Sequence, residues 1–128
     1  MRIVVKEPGL APEVREIEKS LDAMQEVVAH GDFRMLEVVA DGPPGLDLWA
    51  NEEGKYASHN GEYLMPNLSI FGGRDYVMGT VFVTALDENG NTVSLTAQQT
   101  AQAIAWLNEH AVTAAGALRA EMFAAQFR

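Results

Sequence analysis

The chain has 128 residues, of which 48% are hydrophobic, 8% aromatic and 21% charged, with a formal net charge of −9 and no cysteine. That length suits one domain burying about two-thirds of its unfolded surface, and the composition excludes a disordered chain, a collagen or a coiled-coil fibre. Disulfides, thiolate metal sites and cysteine nucleophiles are excluded outright, and the start Met1-Arg2-Ile3 leads into no long apolar run, so neither a signal peptide nor a membrane span is expected and the reading is a cytoplasmic protein.

The Ile- and Val-rich run Arg2 to Lys6 predicts a strand that stops at Pro8-Gly9, a pair suited to the centre of a type II turn. Glu13 to Glu18 alternates well enough for a second strand, with Val14 and Ile17 on opposite parities pointing to a bulge or an edge, so a first hairpin is expected. Ser20 as N-cap, the stripe Leu21, Met24, Val27 and Val28, and the stop Gly31 predict a helix from about Leu21 to His30. Phe33 to Val39 reads as a third strand, closed by Asp41-Gly42-Pro43-Pro44.

Leu46, Leu48 and Ala50 alternate with Asp47 and Trp49, and Asn51-Glu52-Glu53-Gly54 turns the chain towards Lys55 to Ser58, which predicts a second hairpin. Residues 59 to 75 carry His59-Asn60-Gly61, Pro66-Asn67 and Gly72-Gly73 and read as a long, broken, function-bearing loop. Val77 to Leu86 is apolar on both parities, the pattern of a central strand covered on both faces, and Asn89-Gly90 predicts a turn into Thr92 to Leu95.

Thr96 and Gln99 form a capping box, and 11 of residues 97 to 128 are alanine with no proline, so a long helical segment follows with Gly116 as a kink or break. On that helix Ile104, Leu107, Ala111, Ala115, Leu118 and Met122 make one stripe, expected on the sheet. A second stripe, anchored by Trp106, Phe123 and Phe127, is left for a partner, most simply a second copy in a homodimer, or for a fold-back of the helix. The expected fold is therefore α+β: one domain over residues 1–128 with a mixed, largely antiparallel sheet of about six strands, one short helix and a long Ala-rich C-terminal helical segment.

The acidity is uneven. Residues 97 to 128 balance Arg119 and Arg128 against Glu109 and Glu121, so the sheet-rich residues 1 to 96 hold the whole excess, 16 acidic groups against 7 basic. Such a surface repels phosphate backbones and anionic lipid heads and favours basic protein partners, with Glu52 and Glu53 at a turn tip as rim charges. No metal-ligand spacing, no nucleophile with its base and no cofactor fingerprint occurs, so a non-enzymatic protein without metal or cofactor is expected. Of the three histidines only His59 has a setting that suits a ligand, and Arg74 beside Gly72-Gly73, with Trp49, completes the weak candidate ligand site.

The pieces Val4-Val5-Lys6-Glu7-Pro8-Gly9, Asn51-Glu52-Glu53-Gly54-Lys55, Pro66-Asn67, Gly79-Thr80-Val81-Phe82-Val83 and Ser94-Leu95-Thr96 together resemble, over residues 3 to 100, the family known as domain of unknown function 3846. Leu68 departs from that pattern, which has a basic residue after Pro-Asn. The resemblance implies a short protein of a bacteriophage, plasmid or other mobile element working in a bacterial host cytoplasm, and it implies no activity and no catalytic residues. Charge and resemblance together point to an accessory protein that acts by binding, an inhibitor or nucleic-acid mimic directed at a basic host defence or DNA-handling protein. The alternative is a protein that binds or sequesters a nucleotide-like signal.

Overall fold

A computed structural model describes residues 1–128 as an α+β fold in which every strand pairing is antiparallel. In chain order the elements are β1 (Arg2–Lys6), β2 (Glu13–Glu16), α1 (Leu21–Val28), β3 (Leu36–Val38), β4 (Asp47–Asn51), β5 (Ser58–His59), β6 (Glu62–Tyr63), β7 (Pro66–Ile70) and β8 (Asp75–Met78). β9 (Val81–Leu86), β10 (Thr92–Val93), α2 (Ala97–His110) and α3 (Ala114–Ala125) complete the chain. The main sheet runs β2-β1-β9-β4-β3 with β10 on the far end of β9, and β5-β6 and β7-β8 form separate two-stranded ribbons. No helix is long and apolar enough to cross a membrane.

The double parity of β9 decides the layering. Val81, Val83 and Ala85 join Val4, Leu48 and Ala50 on one face, where Ala103 and Leu107 of α2 and Leu68, Ile70 and Val77 of the β7-β8 ribbon cover them. Phe82 joins Ile3 and Val5 on the other, beneath Met24 and Val28 of α1, with Trp49 stacked on Phe82 at 6.1 Å. A strand buried on both faces reads as a near-continuous apolar run, and β9, in which Thr84 alone is polar, occupies the centre of the sheet as that pattern requires. Around it the turn at Pro8-Gly9 closes with the Leu10 amide donating to the Glu7 carbonyl, β2 is an edge strand, and the Thr96-Gln99 capping box is made in both directions.

Residues 59 to 75, expected as a long broken loop, hold the β5-β6 hairpin and β7, and four further local expectations are corrected. α1 ends at Val28, short of Gly31, because the Asn51 amide donates to the Val28 carbonyl and so satisfies the helix end from β4. β4 does not return through Lys55 to Ser58; it pairs with β3 and β9, and residues 52 to 56 form turns. The run Val77 to Leu86 is two strands, folded at Gly79-Thr80, with Val77 in the β7-β8 ribbon.

The fourth concerns the C-terminal helix, which breaks at residues 111 to 113, three positions before Gly116. There the Val112 amide donates to the Asn67 carbonyl and Ala111 bridges Leu68, drawing the backbone out of the helix and onto β7, and Thr113 caps a new helix by accepting from the Gly116 amide. The break rotates the stripes. Leu118 and Met122, expected on the sheet, are 71% and 65% exposed, while α3 presses Ala120 and Ala124 onto Tyr76 and Met78 of β8. Trp106 stacks on His110 at 3.9 Å and Phe123 meets Tyr76 edge-on at 5.5 Å, so two of the three aromatics expected to need a partner surface are satisfied within the chain.

Candidate functional site

A β-bulge sets the frame of the site. In the β7-β8 pairing Pro66 faces Met78 and Leu68 faces Val77, so Asn67 is an extra residue whose side chain turns inward. Its amide donates to the Lys6 and Gly79 carbonyls at 2.8 Å each and its Oδ1 accepts from Lys6 Nζ at 2.7 Å, all in a buried setting. Burial without a carboxylate partner pulls the Lys6 amine below its usual range. This clasp ties the β7-β8 ribbon to β1, and Leu68, beside it, is fully buried in the core. Asn51 does comparable work at the end of β4, donating to the Val28 and Phe33 carbonyls and accepting from the Glu53 amide.

Between the ribbon and the β3-β4 edge lies a cleft of about 240 Å³. Ile70, Val77 and Met78 make it partly apolar; Glu37 from β3, Glu52 and Lys55 from the turn after β4, and Asp75 from β8 supply its charge; Tyr56 and Phe127 also line it. Gly54 lets the turn approach β8 closely enough to shape the cleft, since a Cβ there would stand 2.9 Å from the Met78 carbonyl oxygen. Lys55 Nζ bridges Asp75 Oδ1 at 3.0 Å and lies 5.3 Å from the centre of the Phe127 ring, while Arg128 donates to the Lys55 carbonyl, so the C-terminal residues hold this turn. Partial burial pushes the Glu37 carboxyl above its usual range; Lys55 opposes that shift, and Glu52 and Asp75 add to it. Three carboxylates thus face one ammonium, and the cleft keeps an uncompensated negative charge suited to a cation.

The residues singled out from sequence are distributed differently. Glu52 lines the cleft and Glu53 does not. Phe127 stands at the cleft, 53% exposed, whereas Trp106 and Phe123 pack within the chain. The candidate ligand site His59, Arg74 and Trp49 is not assembled: His59 meets His30 edge-on at 5.8 Å, Arg74 Nε donates to the Phe71 carbonyl, and Trp49 Nε1 donates to Thr84 on the α1 side of the sheet. His110, read as solvated surface, is half-buried against Trp106. No three histidine or acidic side chains converge as a metal-ligand set.

Glu37, Lys55 and Asp75 were missed as a group because they come from three separate segments. The one signal available was the single charged residue, Glu37, inside the otherwise apolar end of the third predicted strand.

Fold and site together define a small antiparallel α+β domain with an acidic cleft beside one sheet edge. The chain belongs to the family described as Domain of unknown function (DUF3846), whose family model matches residues 1–108. That match covers the whole sheet and nearly all of α2 and stops before α3. No curated protein and no solved structure matches the chain.

Proposed function

We propose that this protein acts by binding a basic partner protein, as an accessory of a phage or other mobile element that inhibits a host defence or DNA-handling protein by presenting carboxylates where that protein expects phosphates. The observation that carries the reading is the cleft in which Glu37, Glu52 and Asp75 face Lys55 alone. Ion pairs to Arg2, Arg15, Arg34 and Arg128 offset Glu16, Glu7, Glu13, Glu26 and Glu121 elsewhere on the surface, whereas in the cleft Lys55 pairs with Asp75 and leaves Glu37 and Glu52 without an ion-pair partner for a partner's cation to meet. The size of this cleft suits a side chain better than a nucleotide-like ligand: about 240 Å³ lies below the roughly 300–1,000 Å³ usual for small-molecule sites.

The test is affinity capture from a bacterial lysate followed by native mass spectrometry of the complex. The expected result is a bound basic protein whose affinity falls at least about tenfold between about 50 and 300 mM salt, with Glu52→Lys slowing association more than Glu53→Lys. A retained small molecule in place of a protein, or an affinity indifferent to salt, overturns the reading.

A further inference from the structure

The strand that carries Glu37 is the open edge of the main sheet, since β3 pairs with β4 and nothing else. Its register fixes which backbone groups remain free. The Val39 amide donates to the Leu48 carbonyl and the Met35 carbonyl accepts from the Glu52 amide, so residues 35, 37 and 39 turn their backbone groups towards β4. In an antiparallel ladder the alternate residues point the other way, which directs the N–H and C=O of Leu36 and Val38 outward, away from β4. Met35 and Val38 are about half exposed, an apolar edge of the kind that soluble proteins usually blunt with charge.

Resting on the reading of the cleft as a cation site, we propose that this edge takes an extended basic segment of the partner as an added antiparallel strand, with a Lys or Arg side chain opposite Glu37 and apolar residues at the positions on either side. A strand bonded to Leu36 and Val38 leaves Glu37 in a non-hydrogen-bonded pair, where facing Cβ atoms lie about 4.5–5.5 Å apart and side chains meet most closely. Glu37 lines the cleft, so the opposing cation enters beside Glu52 and Asp75, which supplies the charge complementarity. Arg34, at the start of the edge, is occupied by Glu26 at 3.1 Å. A second copy fits poorly: pairing β3 with itself around Glu37 sets carboxylate against carboxylate and joins two chains of net charge −9.

The experiment titrates the full chain with three ten-residue peptides: alternating Lys and Val, alternating Glu and Val, and five Lys followed by five Val. Amide exchange of Leu36 and Val38 is followed by NMR. The alternating Lys/Val peptide should bind at least about tenfold tighter than the other two, and the Leu36 and Val38 amides should become protected while the already paired Glu37 amide changes little. Val38→Pro, which removes only an outward amide, should lower that affinity at least about tenfold.

Equal binding of the block Lys/Val peptide, binding without protection of those two amides, or amides already protected in a dimer of the free chain would each overturn the proposal. In the first two cases the basic-partner reading survives. If no Lys peptide binds while lysate capture still yields a salt-sensitive basic protein, the added-strand mode alone fails; if neither binds, both fail.

Discussion

The two edges of the main sheet, β2 and β3, differ in side chains and not in backbone. On β2 the Ile17 amide donates to the Met1 carbonyl, which places residues 13, 15 and 17 inward and leaves Val14 and Glu16 pointing out, the same arrangement as on β3. Yet the β2 edge is guarded: Arg15 pairs with Glu7 and Glu13, and Glu16 pairs with Arg2 and the N-terminal amine. The β3 edge has one carboxylate without a close cation, between two exposed apolar residues. Charge pairs on an edge discourage added strands because a newcomer must disrupt them, whereas a lone carboxylate beside an apolar rim invites a cation.

The largest expected effect tests the backbone half of that comparison. Glu37→Pro deletes an amide bonded to β4 and should cost about 3 kcal/mol, whereas Val38→Pro deletes an outward amide and should cost under about 1 kcal/mol. Arg15→Pro against Val14→Pro should repeat the contrast on β2. Urea denaturation reads all four, and equal costs within either pair would refute the assigned register.

The next effect tests the side-chain half. Arg15→Ala leaves Glu7 and Glu13 without their shared partner, making β2 resemble β3, so the alternating Lys/Val peptide should bind with a stoichiometry rising towards two per chain. Stability should fall by less than about 1 kcal/mol, because these pairs are exposed. A stoichiometry that stays at one, measured by calorimetry, would show that guarding by ion pairs is not what separates the edges.

The same contrast marks what a sequence can disclose. β2 and the Pro8-Gly9 turn were legible because the hairpin is local: the partners are neighbours in the chain and the turn chemistry lies between them. β9 was legible because burial on both faces writes itself into both parities. The partner of β4 was not, since Lys55 to Ser58 follows at hairpin distance, while the turns that carry the chain away, with the Glu53 amide donating to Asn51 Oδ1 and the Tyr56 and Ala57 amides to the Glu53 carbonyl, leave no pattern of their own in the sequence. The break at residues 111 to 113 was equally hidden, because an Ala-rich stretch favours helix throughout and the backbone bonds from β7 that interrupt it come from a bulge far away in sequence. The candidate site inherits this: Glu52 stood out at a turn, but its grouping with Glu37, Lys55 and Asp75 depends on those same non-local contacts.

The smallest expected effect is on pH. Partial burial, with Glu52 and Asp75 nearby, raises the Glu37 carboxyl above its usual range, so the folded chain holds this proton more tightly than the unfolded one. For a raised carboxyl the linked stability is fully present below the unfolded pKa and is lost as pH rises through the folded one. Glu37→Gln, which cannot ionise, should therefore be more stable than the wild type at pH 7 by a small margin, under about 1 kcal/mol for so exposed a group, and melt slightly higher. The margin should shrink as pH falls through the raised pKa, and Tm against pH for both proteins measures it. A bound lysine reverses the balance by favouring the carboxylate, so binding of the alternating Lys/Val peptide should release a proton near that pKa in the wild type and not from this site in Glu37→Gln. Calorimetry in two buffers of different ionisation enthalpy reads that proton, and an identical release from both proteins would place the peptide's cation away from Glu37.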